Sequence, residues 1–115
     1  MFTEYVLFDL PAGMPRETVI AGMHEVAPRW RQEPQLVRKT FIYDERAGVA
    51  GAFYLWLDRA AAEAAHDEAW RARIRAHYGS EPRIRYFETP LVVDNALGRV
   101  IEAGDARTAA PTPDR

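Results

Sequence analysis

The sequence contains no cysteine, so structural disulfides, iron–sulfur clusters, thiolate zinc sites and cysteine nucleophiles are excluded together. It also lacks an excess of either charge: fifteen Lys and Arg stand against seventeen Asp and Glu, a net charge of −2. Without a large positive field to hold a phosphate backbone, nucleic acid is not expected as a partner. No apolar run approaches the roughly 18 residues of a membrane span. Met1 to Leu10 carries two acids and no basic residue, unlike a secretory leader. A cytoplasmic protein with no membrane contact is therefore expected. Phosphate-cradling glycine loops are missing too, since neither G-x-G-x-x-G nor G-x-x-x-x-G-K spacing occurs.

What is present suits one globular domain. At 115 residues the chain can bury about two thirds of the surface its unfolded form exposes, so a core is possible without metals or staples. Phe2 to Asp9 alternates loosely and is rich in β-branched and aromatic types, which predicts a strand. Pro11, Gly13 and Pro15 punctuate a turn, and Pro15 suits a first helical position. From Arg16 onward Val19, Ile20, Met23, Val26, Ala27 and Trp30 share one side of a helical wheel. Pro28 is expected to bend this helix, and Glu33-Pro34 to end it.

Leu36–Tyr43 and Ala50–Leu57 read as a second and third strand, joined through the polar segment Asp44–Gly48. A single second helix is expected over Arg59–Tyr78, capped by Asp58 and stopped by Gly79. Its inward side would hold Ala61, Ala62, Ala65, Ala69, Ala72 and Ala76. Ile84–Phe87 and Thr89–Val93 then form the last strand region, with Pro90 at an edge or bulge. After Asn95 the pattern decays. The domain is accordingly set at residues 1–95, with 96–115 a C-terminal extension that is flexible beyond 103.

The order βαββαβ is that of a ferredoxin-like α+β sandwich. Helices on one side of such a sheet leave the other side bare. Yet Phe53, Leu55 and Leu57 point one way in the third strand and Tyr54 and Trp56 the other. In the second strand Val37, Phe41 and Tyr43 are opposed by Leu36, Thr40 and Ile42. An apolar uncovered face predicts a homodimer packed sheet to sheet.

Three stretches resemble the YdhR-type monooxygenase family. They are Gln32-Glu33-Pro34-Gln35-Leu36-Val37-Arg38-Lys39-Thr40-Phe41, then Ala50-Gly51-Ala52-Phe53-Tyr54-Leu55-Trp56 with Asp58 and Ala60–Ala64, and Arg85-Tyr86-Phe87-Glu88-Thr89-Pro90 with Asp94-Asn95. Their order and spacing carry the resemblance over about Phe2–Asn95. The family has glycine more often where this chain has Gln35 and Ala52. The resemblance implies a dimeric α/β barrel of the antibiotic-biosynthesis-monooxygenase type, with a pocket between sheet and helices. Related branches include cofactor-free, quinone-forming monooxygenases and haem-degrading ones.

Read with that resemblance, the chain is expected to be a cofactor-independent monooxygenase acting on a small hydrophobic or aromatic compound. Such chemistry needs a base, oxyanion donors and a dry aromatic enclosure. His24, at the margin of the first helix's apolar stripe, is the candidate catalytic base, because imidazole titrates near neutrality. Trp30, Tyr43, Tyr54, Trp56, His66 and Trp70 are the candidate pocket residues. His66 and Trp70, four apart, could bound an aromatic pocket or offer an imidazole to haem; the bland alternative makes Trp70 core and the histidines boundary residues. Metal capture by His66 and His77 alone is disfavoured, as eleven helical residues separate them by roughly 16 Å. No metal and no tightly bound cofactor is expected, with a haem-binding or haem-degrading barrel as one alternative and a non-catalytic ligand-binding or stress-related module as another. Arg38 and Lys39 lie on opposite faces of a strand; one of them could answer an anionic ligand or meet an acid such as Glu4 across a dimer, although solvated heads on sheet-lying stems are the ordinary outcome.

Overall fold

The computed structural model describes residues 1–103. Its elements are β1 (Phe2–Asp9), α1 (Arg16–Arg31), β2 (Leu36–Asp44), β3 (Val49–Trp56), α2 (Arg59–Ala65), α3 (Glu68–Tyr78), β4 (Arg83–Glu88), β5 (Leu91–Asp94) and β6 (Arg99–Glu102). The first four-stranded sheet runs β2-β3-β1-β4, antiparallel at every pairing, and β5 and β6 form a separate hairpin. This is the ferredoxin-like α+β arrangement. β1 and β3 approach so closely at Gly51 that a Cβ there would lie 1.9 Å from the Val6 carbonyl oxygen, so only glycine fits the centre of the sheet.

The helices cover one face of the sheet. Beneath them Val6, Ala52, Tyr54 and Trp56 pack with Trp30, Ala62 and Trp70, and Phe8, Leu36, Phe41, Ile74, Ile84 and Tyr86 close the edges. Burying one such large side chain contributes about 1.5–3 kcal/mol, so this cluster is the main source of stability. α1 begins at Arg16 with Pro15 as its extended N-cap, one residue later than the sequence predicts. Pro28 lies inside α1, yet the helix continues to Arg31, which keeps Trp30 on the buried side.

Four expectations need correction. The long second helix is two helices: α2 stops at Ala65, His66 leaves helical geometry (φ −117°, ψ 52°), and the Asp67 carboxylate accepts from the Trp70 backbone N–H at 2.9 Å to start α3. A second Asp cap competes successfully with continuation because it satisfies amides that the break frees. The break also rephases the inward side, which in α3 is Trp70, Ile74 and Tyr78; Ala69, Ala72 and Ala76 are exposed. In β2 a bulge between Leu36 and Arg38 exchanges the faces of Leu36 and Val37. Finally, the pattern does not end at Asn95. Residues 95–98 are the turn of the β5–β6 hairpin, and Asp94 pairs with Arg99 on either side of it. The tail expected to be flexible beyond 103 lies outside the described residues.

The hairpin folds against the face that the helices leave open. Met1, Leu55 and Ile101 form a small second core with Val37, Leu57 and Val92. Arg38 donates to the Asp94 carboxylate across its margin. The rest of that face stays apolar and open: Phe53 and Phe87 are 42 % and 43 % exposed, and Leu91, Val93, Leu97 and Val100 more so.

Candidate active site

Strand register places one polar-tipped side chain from each strand in a single row under the helices. Lys39 of β2 faces Tyr54 of β3, Tyr54 faces Glu4 of β1, and Glu4 faces Tyr86 of β4. A period of two sends all four to the covered side. The row crosses the core cluster, where polar groups cost free energy unless they are partnered.

Glu4 is fully buried and partnered. Its two oxygens accept from His66 Nδ1 at 2.7 and 2.8 Å, and Oε1 also accepts from Trp56 Nε1 at 2.9 Å. His66 reaches Glu4 because α2 ends just before it, which accounts for the interrupted helix. The imidazole is boxed by rings, with centroids 4.3 Å from Trp70, 4.6 Å from Tyr54 and 5.6 Å from Trp30. Its Nε2 has no hydrogen-bond partner. Burial, then the nearby Glu4 carboxylate, pushes the Tyr86 phenol up to about 12, and the same two causes hold Tyr54 far above the ordinary phenol range. Both tyrosines remain neutral donors at physiological pH.

At the other end of the row sits Lys39. Its Nζ lies 4.2 Å from the ring centroids of Trp30 and Phe41 and 4.6 Å from that of Tyr54. Among the described residues it forms no ion pair. The Arg29 guanidinium stacks on the same indole, 4.8 Å from its centroid, so two cations share Trp30. Burial, and after it Arg29, lowers the amine from its ordinary 10.5 to about 7, with Glu4 opposing. Ring faces attract the ammonium but do not offset its lost hydration.

Lys39 opens onto a cleft of about 120 Å³ between sheet and helices, walled by Phe8, Met23, Phe41, Tyr54, Trp70 and Tyr78 among others. An apolar cavity of about this size holds a single aromatic ring. Trp30, Lys39 and Phe41 also line a neighbouring opening of about 220 Å³. A larger hollow, about 480 Å³, lies over the alanines of α2 between Arg29, Glu33, Asp67 and Arg73. It is polar and shares Arg29 and Trp30 with the surroundings of Lys39, but none of the four residues of the row lines it.

Of the residues singled out from sequence, Trp30, Tyr54 and Trp70 meet at the cleft. Trp56 and His66 stand directly behind that wall, fully enclosed, so His66 is no boundary residue. Tyr43 is set apart near the end of β2, beneath Arg16. His24 is exposed on α1 and is not among the cleft-lining residues. Glu4 pairs within its own chain. The Lys39 amine lies among rings, not in solvent. One signal for it was in the sequence: Lys39 is the single lysine among fifteen basic residues. A chain that uses arginine at every other basic side chain has one side-chain amine, and it lies against three rings.

None of the three histidines is placed to hold haem in the cleft. His24 and His77 face outward, and the His66 nitrogens are held by Glu4 or sealed behind Trp30, Tyr54 and Trp70. No group of three His, Asp or Glu side chains that could hold a metal ion occurs among the described residues. Among them, too, no helix is long and apolar enough to cross a membrane.

Residues 6–91 match the family described as "Putative mono-oxygenase ydhR", and the chain belongs to that family. No curated protein matches it. Among solved structures, a "putative antibiotic biosynthesis monooxygenase" from Deinococcus radiodurans is similar at 14% identity and TM-score 0.63, covering 82% of this chain and 97% of its own. Another antibiotic biosynthesis monooxygenase is similar at 20% identity and TM-score 0.58, covering 77% and 98%. A mutant of SnoaB, a cofactor-independent oxygenase from Streptomyces nogalater, is similar at 18% identity and TM-score 0.56, covering 80% and 96%. At these identities the likeness is one of fold.

Proposed function

We propose that the protein is a cofactor-independent monooxygenase for a single-ring phenol or dihydroxyarene, with Lys39 as its base. One observation carries the reading: an amine with no ion pair among the described residues, its pKa lowered to about 7, sits at the wall of an aromatic cleft of one-ring size. The phenol hydroxyl gives its proton to Nζ, and the ammonium so formed balances the phenolate in a site that excludes water. The electron-rich phenolate passes one electron to O₂. The resulting radical and superoxide join at a ring carbon, and loss of water leaves a quinone. One oxygen atom enters the product and the other leaves as water. The substrate supplies all four electrons, so no external reductant is needed. Trp30, Tyr54, Phe41 and Trp70 hold the ring, and the neutral Tyr54 hydroxyl supports the developing oxyanion.

We further propose that the working form is a homodimer, supported by the open apolar face around Phe53 and Phe87 and by the outward Leu91, Val93 and Val100. Light scattering at micromolar concentration should give twice the 13.1 kDa of one chain. A stable monomer at that concentration would reject this part of the reading.

Oxygen uptake on a panel of phenols and dihydroxyarenes tests the chemistry. Lys39→Met should lower turnover by about 10²–10⁴-fold, and the wild-type rate should climb as pH rises through about 7, where the amine loses its proton. Calorimetric binding of these phenols without any oxygen uptake would overturn the oxygenase in favour of a non-catalytic binding module.

A further inference from the structure

We infer that Lys39 is also a nucleophile that captures small single-ring aldehydes and ketones as imines in the cleft. A lysine becomes a competent nucleophile when it is desolvated in an apolar pocket or placed beside another cation. Lys39 meets both conditions by geometry. Three rings surround Nζ within 4.6 Å, no carboxylate pairs with it among the described residues, and Arg29 lies on the same Trp30 ring, 4.8 Å from its centroid. The lowered pKa of about 7 agrees with that placement. Two openings adjoin the amine, so a carbonyl can approach from a side that a wall ring does not block.

The step is balanced without any oxidant or reductant. The Nζ lone pair attacks the carbonyl carbon, the C–N bond forms, and the π pair moves to oxygen. A proton passes from nitrogen to that oxygen, and water leaves to give the imine. The charged and titratable groups facing Nζ are Arg29 from α1, Tyr54 from β3, Glu4 from β1 and, across the cleft, Tyr78 from α3. Arg29 favours the neutral amine and Glu4 opposes it, while the phenols stay uncharged at pH 7. The inference shares the neutral amine with the oxygenase reading but needs no oxygen chemistry. Quinone products carry carbonyls, so the same amine would also meet the product of that reaction.

Because Lys39 is the only lysine, the chain has two amines, and the N-terminal one serves as an internal reference. The intact protein is incubated anaerobically at pH 7 with benzaldehyde and cyanoborohydride, then analysed by intact mass and peptide mapping. The same mixture with the urea-unfolded chain gives the baseline for Lys39. Lys39 in the folded protein should be trapped about a hundredfold faster than in urea, and Lys39→Met should take no internal adduct. Labelling confined to the N-terminus, or a folded Lys39 rate no greater than the unfolded one, would overturn the inference. Since oxygen is absent throughout, either outcome stands apart from the oxygen-uptake result.

Discussion

Arg38 and Lys39 are consecutive cations on β2, and they meet opposite environments. Arg38 emerges on the open face, where its guanidinium reaches Asp94 of the hairpin and stays 40 % exposed. Lys39 emerges under the helices among Trp30, Phe41 and Tyr54, without an ion pair among the described residues. The first cation is partnered by a buried carboxylate and keeps part of its hydration. A desolvated amine of the second kind is held in the fold against its solvation preference. The same contrast separates two buried acids. Asp94 accepts from the Leu97 backbone N–H and from Arg38 and anchors a hairpin; Glu4 accepts from His66 and Trp56 at the centre of the core.

The contrast breaks most sharply at His66. Replacing it by alanine leaves the buried Glu4 without its imidazole, with Trp56 and Tyr86 as the remaining donors, and removing one partner of a buried pair costs about 3–5 kcal/mol. Urea unfolding should show that loss; a loss under about 1 kcal/mol, the scale of a surface pair, would show that Glu4 does not depend on the imidazole.

Lys39→Met should move stability the other way. Unfolded, Lys39 keeps its proton up to about pH 10.5, and folded only below about 7, so stability rises with pH across that window. The variant should be more stable than wild type by about 2–4 kcal/mol near pH 6, with the gain shrinking steadily toward pH 9.5. A pH-independent difference would place the amine in water. The expected gain also means that lost turnover in this variant cannot be attributed to unfolding.

On the open face, Asp94→Asn should act locally. The Leu97 N–H and the Arg38 guanidinium hold the Asp94 carboxyl below the usual range. Its anchoring is therefore complete above about pH 4 and lost as pH falls through the lowered value. Hydrogen exchange at Val92 and Ile101 should quicken several-fold while Val6 and Ala52 stay protected. Equal acceleration in both would show that the hairpin and the main sheet open together. The smallest effect is expected at His24, where glutamine should leave turnover unchanged. A drop of about 10²-fold would return the proton transfer to α1.

The sequence by itself determined the βαββαβ plan of the main sheet and its helical cover, the alternation in β1 and β3, the caps at Asp58 and Gly79, and the apolar stripe that buries Trp30. These depend on local periodicity and local hydrogen bonds, which neighbouring residues specify. It also showed that Arg38 and Lys39 oppose one another across a strand. It did not show which face each took, because the bulge after Leu36 resets the phase. Nor did it reveal that His66 would interrupt a helix. That break is stabilised by Glu4, sixty-two residues away, and by an Asp67 cap that is equally compatible with a continuous helical face. Trp30, Tyr54 and Trp70 were legible as buried aromatics because large rings at core periodicity have few other places to go. Glu4 and Lys39 were not, since an acid and an amine in alternating strands ordinarily face water. Only the registration of four strands into one sheet set Lys39, Tyr54, Glu4 and Tyr86 in a row, and only the helices above removed the water around them. The chemistry of the site follows from desolvation, which depends on every layer that covers a group and therefore arises with the tertiary structure.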